Sequence, residues 1–226
     1  LMLRFLIAAC FTILATTARA DIEIKEVTSD GGINAWVVEE PSIPFIAMEI
    51  RFRGSASLDL PGKRGATNLM VGLLEEGSGD MTAQEFQTAR ERLAASYSFR
   101  AFDDTLSISA QFLTENQDEA LSLLQQALVN PTFEQDALDR VRAQVISGIA
   151  SDEKDPNSIA GAAFDAAAFA GHPYGSAIDG TVESVSGLTR EDMMTAHANT
   201  LTRDRLYVSG GGDVAADPVG PVLDKL

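Results

Sequence analysis

A short apolar stretch between two turn signals constrains this chain more than any other feature. Pro61-Gly62 ends one loop and Gly77-Ser78-Gly79 opens another, so residues 64–77 have room for a single short helix. Positions 65, 68, 69 and 72 form a narrow stripe along it, and Met70, Leu73 and Leu74 widen the apolar side. A helix this apolar belongs in a core. It has one irregularity. Asn68 stands one turn before Gly72, so where a helix can aim two side chains at one point, this one offers an amide and nothing.

Around that helix the periodicities alternate between strand and helix. Ile22, Ile24 and Val27 interleave with charges, Asp30-Gly31-Gly32 signals a hairpin, and residues 33–38 continue as a strand with Trp36 and Val38 in phase. Residues 45–52 are apolar on both faces in their first half, which predicts a central strand. Thr82 and Glu85 form a capping box for a second helix, with Phe86, Ala89, Leu93 and Ala94 as its core stripe. Strands follow at 96–102 and 105–112, joined by Asp103-Asp104, with Ser107, Ser109 and Gln111 on a solvated face. A helix at 115–129 turns inward Ala120, Leu121, Leu124 and Leu128; the next, at 134–150, turns inward Ala137, Leu138, Val141, Val145, Ile146 and Ile149. Asp155-Pro156 breaks the pattern before an alanine-rich helix at 159–170, and Gly171-His172-Pro173-Tyr174-Gly175 reads as an ordered loop. Thr189 caps a helix to residue 199 with Glu191-Asp192 in its first turn, and residues 206–209 form a last strand before a Gly210-Gly211-Gly212-Asp213 turn. This order predicts an α+β fold, a mostly antiparallel sheet with helices packed on one face.

Residues 1–20 stand apart. Arg4, an apolar run and Ala18-Arg19-Ala20 make a secretory signal peptide, which places the mature protein in the periplasm. Cys10 after Ile7-Ala8-Ala9 leaves a lipoprotein signal as the alternative. Cleavage after Ala20 removes the single cysteine and with it any disulfide. The domain expected is then 21–214, with 215–226 a linker or the start of a truncated element. Without Arg4 and Arg19, 15 basic side chains face 33 acidic ones, a charge of −18. Such a surface has no basic stripe for nucleic acid and is repelled by anionic membrane.

The residues offer little chemistry of their own. A catalytic zinc needs three protein ligands, and the two histidines, His172 and His197, lie in a tight loop and on a helix with no ligand-type residue four positions away. Both read as structural, leaving a zinc site built from the pair and a carboxylate as the remote alternative. There is no G-x-S-x-G elbow, and Ser209-Gly210-Gly211-Gly212 reads as a turn. The pairs Glu39-Glu40, Glu75-Glu76 and Asp103-Asp104 read as solvated surface. No catalytic, cofactor-binding or metal-binding residue is assigned.

Taken together, the 65–77 segment, the Thr82 helix, Asn130-Pro131-x-Phe133, Asp155-Pro156, Gly171-His172-Pro173-Tyr174-Gly175, Gly180-Thr181 and Leu188-Thr189-x-Glu191-Asp192 resemble the N-terminal domain of the pitrilysin/insulinase family. These are the M16 zinc peptidases, which include the mitochondrial processing peptidase. The resemblance implies the LuxS/MPP-like metallohydrolase fold. Active members carry H-x-x-E-H on the first helix, two histidines for zinc and a glutamate to activate water. Carried over by position, those residues fall on Asn68, Val71 and Gly72, and a third ligand on the long helix falls near Gly148 or Ile149. None can serve, and Glu75 and Glu76 lie on other turns. The family also binds peptide along an edge strand, in the region 98–107 here, although the usual asparagine is missing. The resemblance therefore implies a non-catalytic subunit or half of a zinc peptidase. A partner with an intact motif would supply the metal, this chain would help enclose and bind peptide, and a second domain of similar fold would follow. The alternatives are a peptide-binding or structural protein without a protease partner, and a zinc metalloendopeptidase with a displaced site.

Overall fold

In Phe45–Arg53 (β3) burial alternates residue by residue, with Ile46, Met48, Ile50 and Phe52 turned inward, and this strand is the spine of the molecule. In the computed structural model, which describes residues 22–214 and residue 224, β3 lies in the middle of a six-stranded sheet. The segments read as signal peptide, 1–20, and as linker or further element, after 214, lie outside the described residues, Asp224 excepted. The other strands are Lys25–Thr28 (β1), Asn34–Glu39 (β2), Ser96–Ala101 (β6), Thr105–Leu113 (β7) and Leu206–Gly212 (β8), with a small ribbon made by Gly77–Ser78 (β4) and Met81–Thr82 (β5). The sheet order is β1-β2-β8-β3-β7-β6. Every pair is antiparallel except β2 with β8.

The helices cover one face: Ala66–Gly72 (α1), Ala83–Arg92 (α2), Gln117–Val129 (α3), Gln135–Asp152 (α4), Pro156–Ala168 (α5), Val182–Ser186 (α6) and Arg190–Thr200 (α7). The α+β architecture expected from the element order is the one observed. Capping chemistry sets several boundaries. Thr82 and Thr189 each form a reciprocal box, with Glu85 and Asp192, and Asp155 accepts from the backbone N–H groups of Asn157 and Ser158 to start α5 at Pro156. The inward residues expected on α3, Ala120, Leu121, Leu124 and Leu128, are all buried.

Four local expectations are corrected. Ile22 and Ile24 are exposed and do not share a side with Val27. Since Val27 packs inward and Trp36 pairs with Glu26, the even positions of β1 and β2 face solvent, while Ile33, Ala35 and Val37 enter the core. α2 stops at Arg92, so Ala94, at φ 49°, turns the chain and is not part of the stripe. The stripe 65, 68, 69 and 72 is only half in the core: Gly65 and Leu69 are buried along with Ala66, Thr67, Met70 and Val71, but Asn68 is half-buried and Gly72 exposed. Finally, Gly210, Gly211 and Gly212 are strand, not turn, held between β2 and β3. Gly212 sits at φ 120°, where a Cβ would lie 2.1 Å from the Phe45 carbonyl oxygen. Pairing on both sides and this close approach explain a glycine run that local rules assign to a turn.

The opposite face of the sheet is open and polar at Ser109 and Gln111, as expected, while Ser107 on the same face is buried. At its centre Glu49 accepts from Ser109 Oγ (2.6 Å), Ser107 Oγ and Arg51 Nε (3.0 Å). Burial alone pushes the Glu49 carboxyl up, but the bonds from Ser107, Ser109 and Arg51, with the Arg51 charge, outweigh it and hold it below its ordinary range. α5 is the exception among the helices. Hardly any of it is covered, and Ile159 and Phe164 stand 50% and 67% exposed in an alanine-rich helix with a single charge, Asp165.

Candidate functional site

α1 is short and has no side-chain cap of its own. Gly65, its N-cap, is left-handed (φ 96°), and the helix is started from outside by Asp59. One carboxylate oxygen accepts from Gly65 N (2.9 Å), the other from Thr67 N (2.9 Å) and Thr67 Oγ1 (2.6 Å), a negative group at the positive end of the helix. Burial still pushes the Asp59 carboxyl above its ordinary range, despite the Thr67 and Gly65 bonds and the Arg64 charge.

Arg64 precedes α1 and gathers three segments. Its guanidinium donates to Ala56 O, to Asp103 Oδ1 (2.9 Å), and to Ser176 O (2.9 Å) and Ala177 O (3.1 Å). Its own carbonyl accepts from Ser184 Oγ (2.8 Å). At Gly180 (φ 80°) a Cβ would lie 2.4 Å from that carbonyl oxygen. The Gly171–Gly180 region is thereby laid across the start of α1, and Asp179 Oδ1 accepts from Asn68 Nδ2 (2.7 Å). Asn68, where the first zinc ligand would fall, is therefore engaged with a carboxylate.

Burial, then the Asp152 charge, push the Asp179 carboxyl up, with Arg64 opposing. A carboxyl raised in the folded state contributes stability below its ordinary value of 3.8, and that contribution is lost as pH rises through the folded value. Asp179→Asn keeps the acceptor for Asn68 and is expected to raise the urea midpoint at pH 7, with the gain shrinking as pH falls towards the acid range. An equal gain at both pH values would show that ionisation is not the cause.

Beyond Asn68, α1 opens onto a cleft of about 360 Å³. Its walls are Val71 and Gly72 of α1, Val141 and Val145 of α4, and the end of β6 at Phe99 and Ala101. A Cβ at Gly72 would lie 3.0 Å from Val141 Cγ1. The third position, counted to Gly148 or Ile149, lies elsewhere: Gly148 is open, with nothing within 4 Å of its Cβ position, and Ile149 is buried. Sequence counting lands about a turn too far along α4, and only the crossing of α1 and α4 identifies Val141 and Val145 as the residues opposite Gly72.

The remaining candidates disperse. His197 Nε2 bonds the Leu128 carbonyl oxygen (2.7 Å) and its ring stands edge-on to Phe133, at 6.0 Å between ring centroids. His172 Nδ1 accepts from Tyr174 N (3.3 Å). Glu75 is not solvated surface but a half-buried partner of Arg90 (2.6 Å), its carboxyl pushed up by burial against the Arg90 charge; Glu76 is bound to Arg140. Asp103 holds Arg64, and Asp104 accepts from the Tyr174 hydroxyl. Among the described residues, no three His, Cys, Asp or Glu side chains stand close enough to hold a metal ion. Nor is any helix among them long and apolar enough to cross a membrane.

The chain is 30% identical over 179 residues to "Non-peptidase homolog YmxG" of Helicobacter pylori, covering 79% of this chain and 41% of that protein. It is 28% identical over 153 residues to "Uncharacterized zinc protease ML0855" of Mycobacterium leprae, covering 68% and 34%. The chain thus spans less than half the length of these relatives. Among solved structures, a Pseudomonas fluorescens protein described as "peptidase M16 inactive domain" superposes with a TM-score of 0.84 at 22% identity, over 89% of this chain and 49% of that one, and shares its fold. The model of the insulinase family matches residues 53–182, more than half of the chain and the whole of the cleft, and the chain belongs to that family, peptidase family M16.

Proposed function

We propose that this chain is a non-catalytic subunit or half of a periplasmic M16-like zinc peptidase, exported by residues 1–20, that helps to enclose and bind peptide while a partner supplies the zinc site. The observation that carries this reading is the cleft at α1. Where the family places two zinc ligands and a base, this chain has an amide bonded to Asp179, a buried valine and a glycine, faced by Val141 and Val145. The rest of the fold is kept, including β6 as an edge strand beside that cleft. Loss of the ligands with retention of the scaffold fits a protein whose role is shape and binding. The bare apolar side of α5, with Ile159 and Phe164 exposed, supplies surface for an assembly with another chain.

Purification of the tagged protein from its native periplasm tests this directly. The expected result is retention of a second M16 chain with intact H-x-x-E-H, about one zinc per pair, and peptidase activity that requires both chains. Ile159→Asp with Phe164→Asp is expected to weaken the pair without unfolding either chain. Zinc and proteolysis by the purified chain alone would overturn the proposal. Failure to retain any protease would favour a peptide-binding or structural protein without such a partner.

A further inference from the structure

The face of the sheet that carries no helix holds a hollow of about 400 Å³ along β7. Its floor is low because β7 places serines there, at Ser107 and Ser109, while the strands on either side carry longer side chains. Arg51 of β3 and Arg100 of β6 pair with Ser107 from opposite sides, and Glu49 and Ser98 pair in the same way with Ser109. Neighbouring strands lie about 4.8 Å apart, so the two arginine stems stand roughly 10 Å apart with only a serine between them. Arg100 also lines the cleft at α1; standing on the last strand, it borders both.

The polar groups of the hollow are unevenly satisfied. Glu49, the single carboxylate in its lining, accepts from Ser107 Oγ, Ser109 Oγ and Arg51 Nε. Those bonds turn both serine hydrogens towards Glu49 and use one edge of the Arg51 guanidinium. The other edge of Arg51, on a side chain 61% exposed, has no hydrogen-bond or ion-pair partner among the described residues, and neither has Arg100 or the Ser98 hydroxyl. What remains is a set of donors whose one acceptor is already spent. A guanidinium has five N–H donors and no acceptor, and a carboxylate matches its fork. Two arginines against one glutamate leave a single positive charge in the lining, within a chain whose net charge is −16. Composition predicts the opposite sign. An excess of one suits a monoanion, since a dianion would be held against the charge that the three bonds keep on Glu49.

We propose that this hollow is a carboxylate site, in which Arg100 and the free edge of Arg51 grip one carboxyl group above Ser107 and Ser98 donates to it. Phe102, 50% exposed at the end of the hollow, gives the apolar part of the ligand a surface to lie on. An acidic side chain of a peptide and a free short-chain acid both offer this group. That a peptide carries it rests on the function proposed above; the site itself does not.

The test titrates the isotopically labelled full chain, followed by NMR, with propionate, inorganic phosphate and two capped peptides of serine and threonine, one with glutamate and one with glutamine at the centre. A charge-assisted grip is worth roughly tenfold in affinity over a neutral amide. The expected result is that the glutamate peptide binds about tenfold tighter than the glutamine peptide. It should shift the amides of Ser98 and Ser107 and the side-chain N–H signals of Arg51 and Arg100, and propionate should move the same signals at higher concentration. Arg100→Gln should remove the difference between the peptides, and Arg53→Gln, whose guanidinium lies over the Tyr207 ring outside the hollow, should keep it. Equal binding of the two peptides, or shifts centred away from the hollow, would overturn the site and leave peptide binding by the chain standing. Phosphate binding tighter than propionate would overturn the preference for a monoanion. Propionate binding as tightly as the glutamate peptide would support the site and overturn a peptide as its source. No shift with any probe would overturn the site and the peptide-binding reading together.

Discussion

Reinstating the family ligands with Asn68→His, Val71→Glu and Gly72→His is expected to bind no stoichiometric zinc and to destabilise the protein by about 3–5 kcal/mol, because the change buries an unpaired acid and crowds a packed helix crossing. Val71 is 6% exposed, so the new carboxyl is largely cut off from water. A side chain at 72 begins 3.0 Å from Val141 Cγ1, tighter than an ordinary contact. Two imidazoles one turn apart remain two ligands, and the side chains facing them across the cleft are Val141 and Val145. Zinc needs a third. The informative comparison adds Val145→Glu to the triple variant: this is expected to be the first form that retains zinc through gel filtration, measured by elemental analysis. One zinc per chain in the triple variant alone would show that the cleft has kept a hidden ligand. Metal in neither form would show that the spacing between α1 and α4, as well as the residues, has departed from a metal site.

Arg64→Ala is expected to destabilise by about 2–4 kcal/mol, since one charged group supplies hydrogen bonds to four acceptors on separate segments. The side chain is 16% exposed. It joins Ala56, Asp103, Ser176 and Ala177, residues that come from three different loops around α1. Lysine is not expected to rescue, because an ammonium lacks the planar fork that reaches in several directions at once. Urea midpoints measure the total effect. Hydrogen exchange distinguishes its location: amides at 176–180 should lose protection well before those of β3 and β7, because the loop docks through Arg64 while the sheet does not. A loss below about 0.5 kcal/mol, the level of an ordinary surface change, would mean that the loop is held by other contacts, such as the Ser184 bond to the Arg64 carbonyl.

These two experiments separate the two things α1 does. One asks what the helix no longer does, and the other asks what keeps it in place. A helix of seven residues is too short to persist on its own, so its geometry is imposed by Asp59 at its start, by the Arg64 cluster beside it and by the core beneath Leu69 and Met70. That imposed geometry is what brings Gly72 against Val141 and leaves the β6 edge open alongside.

Local chemistry in the sequence was enough to identify most elements. The capping box at Thr82, the Thr189 cap, the break at Asp155-Pro156 and the central position of β3 depend on neighbours in the chain or on simple periodicity, and each appears in the structure. The replacement of the ligand positions by Asn68, Val71 and Gly72 is likewise a property of the sequence alone once the family is recognised. Other features depend on partners distant in the chain. The glycine run of β8 is strand because β2 and β3 grip it from both sides. Trp36 is exposed because β1 pairing sets its phase, and the open side of α1 is the one that carries Asn68 and Gly72. The residues across the cleft, Val141 and Val145, follow from where two helices cross, a distance that no count along the chain contains. Tertiary structure alone decided that the vacated ligand positions form a pocket beside a free strand edge, because packing between segments, and not their order, sets which side chains share one space.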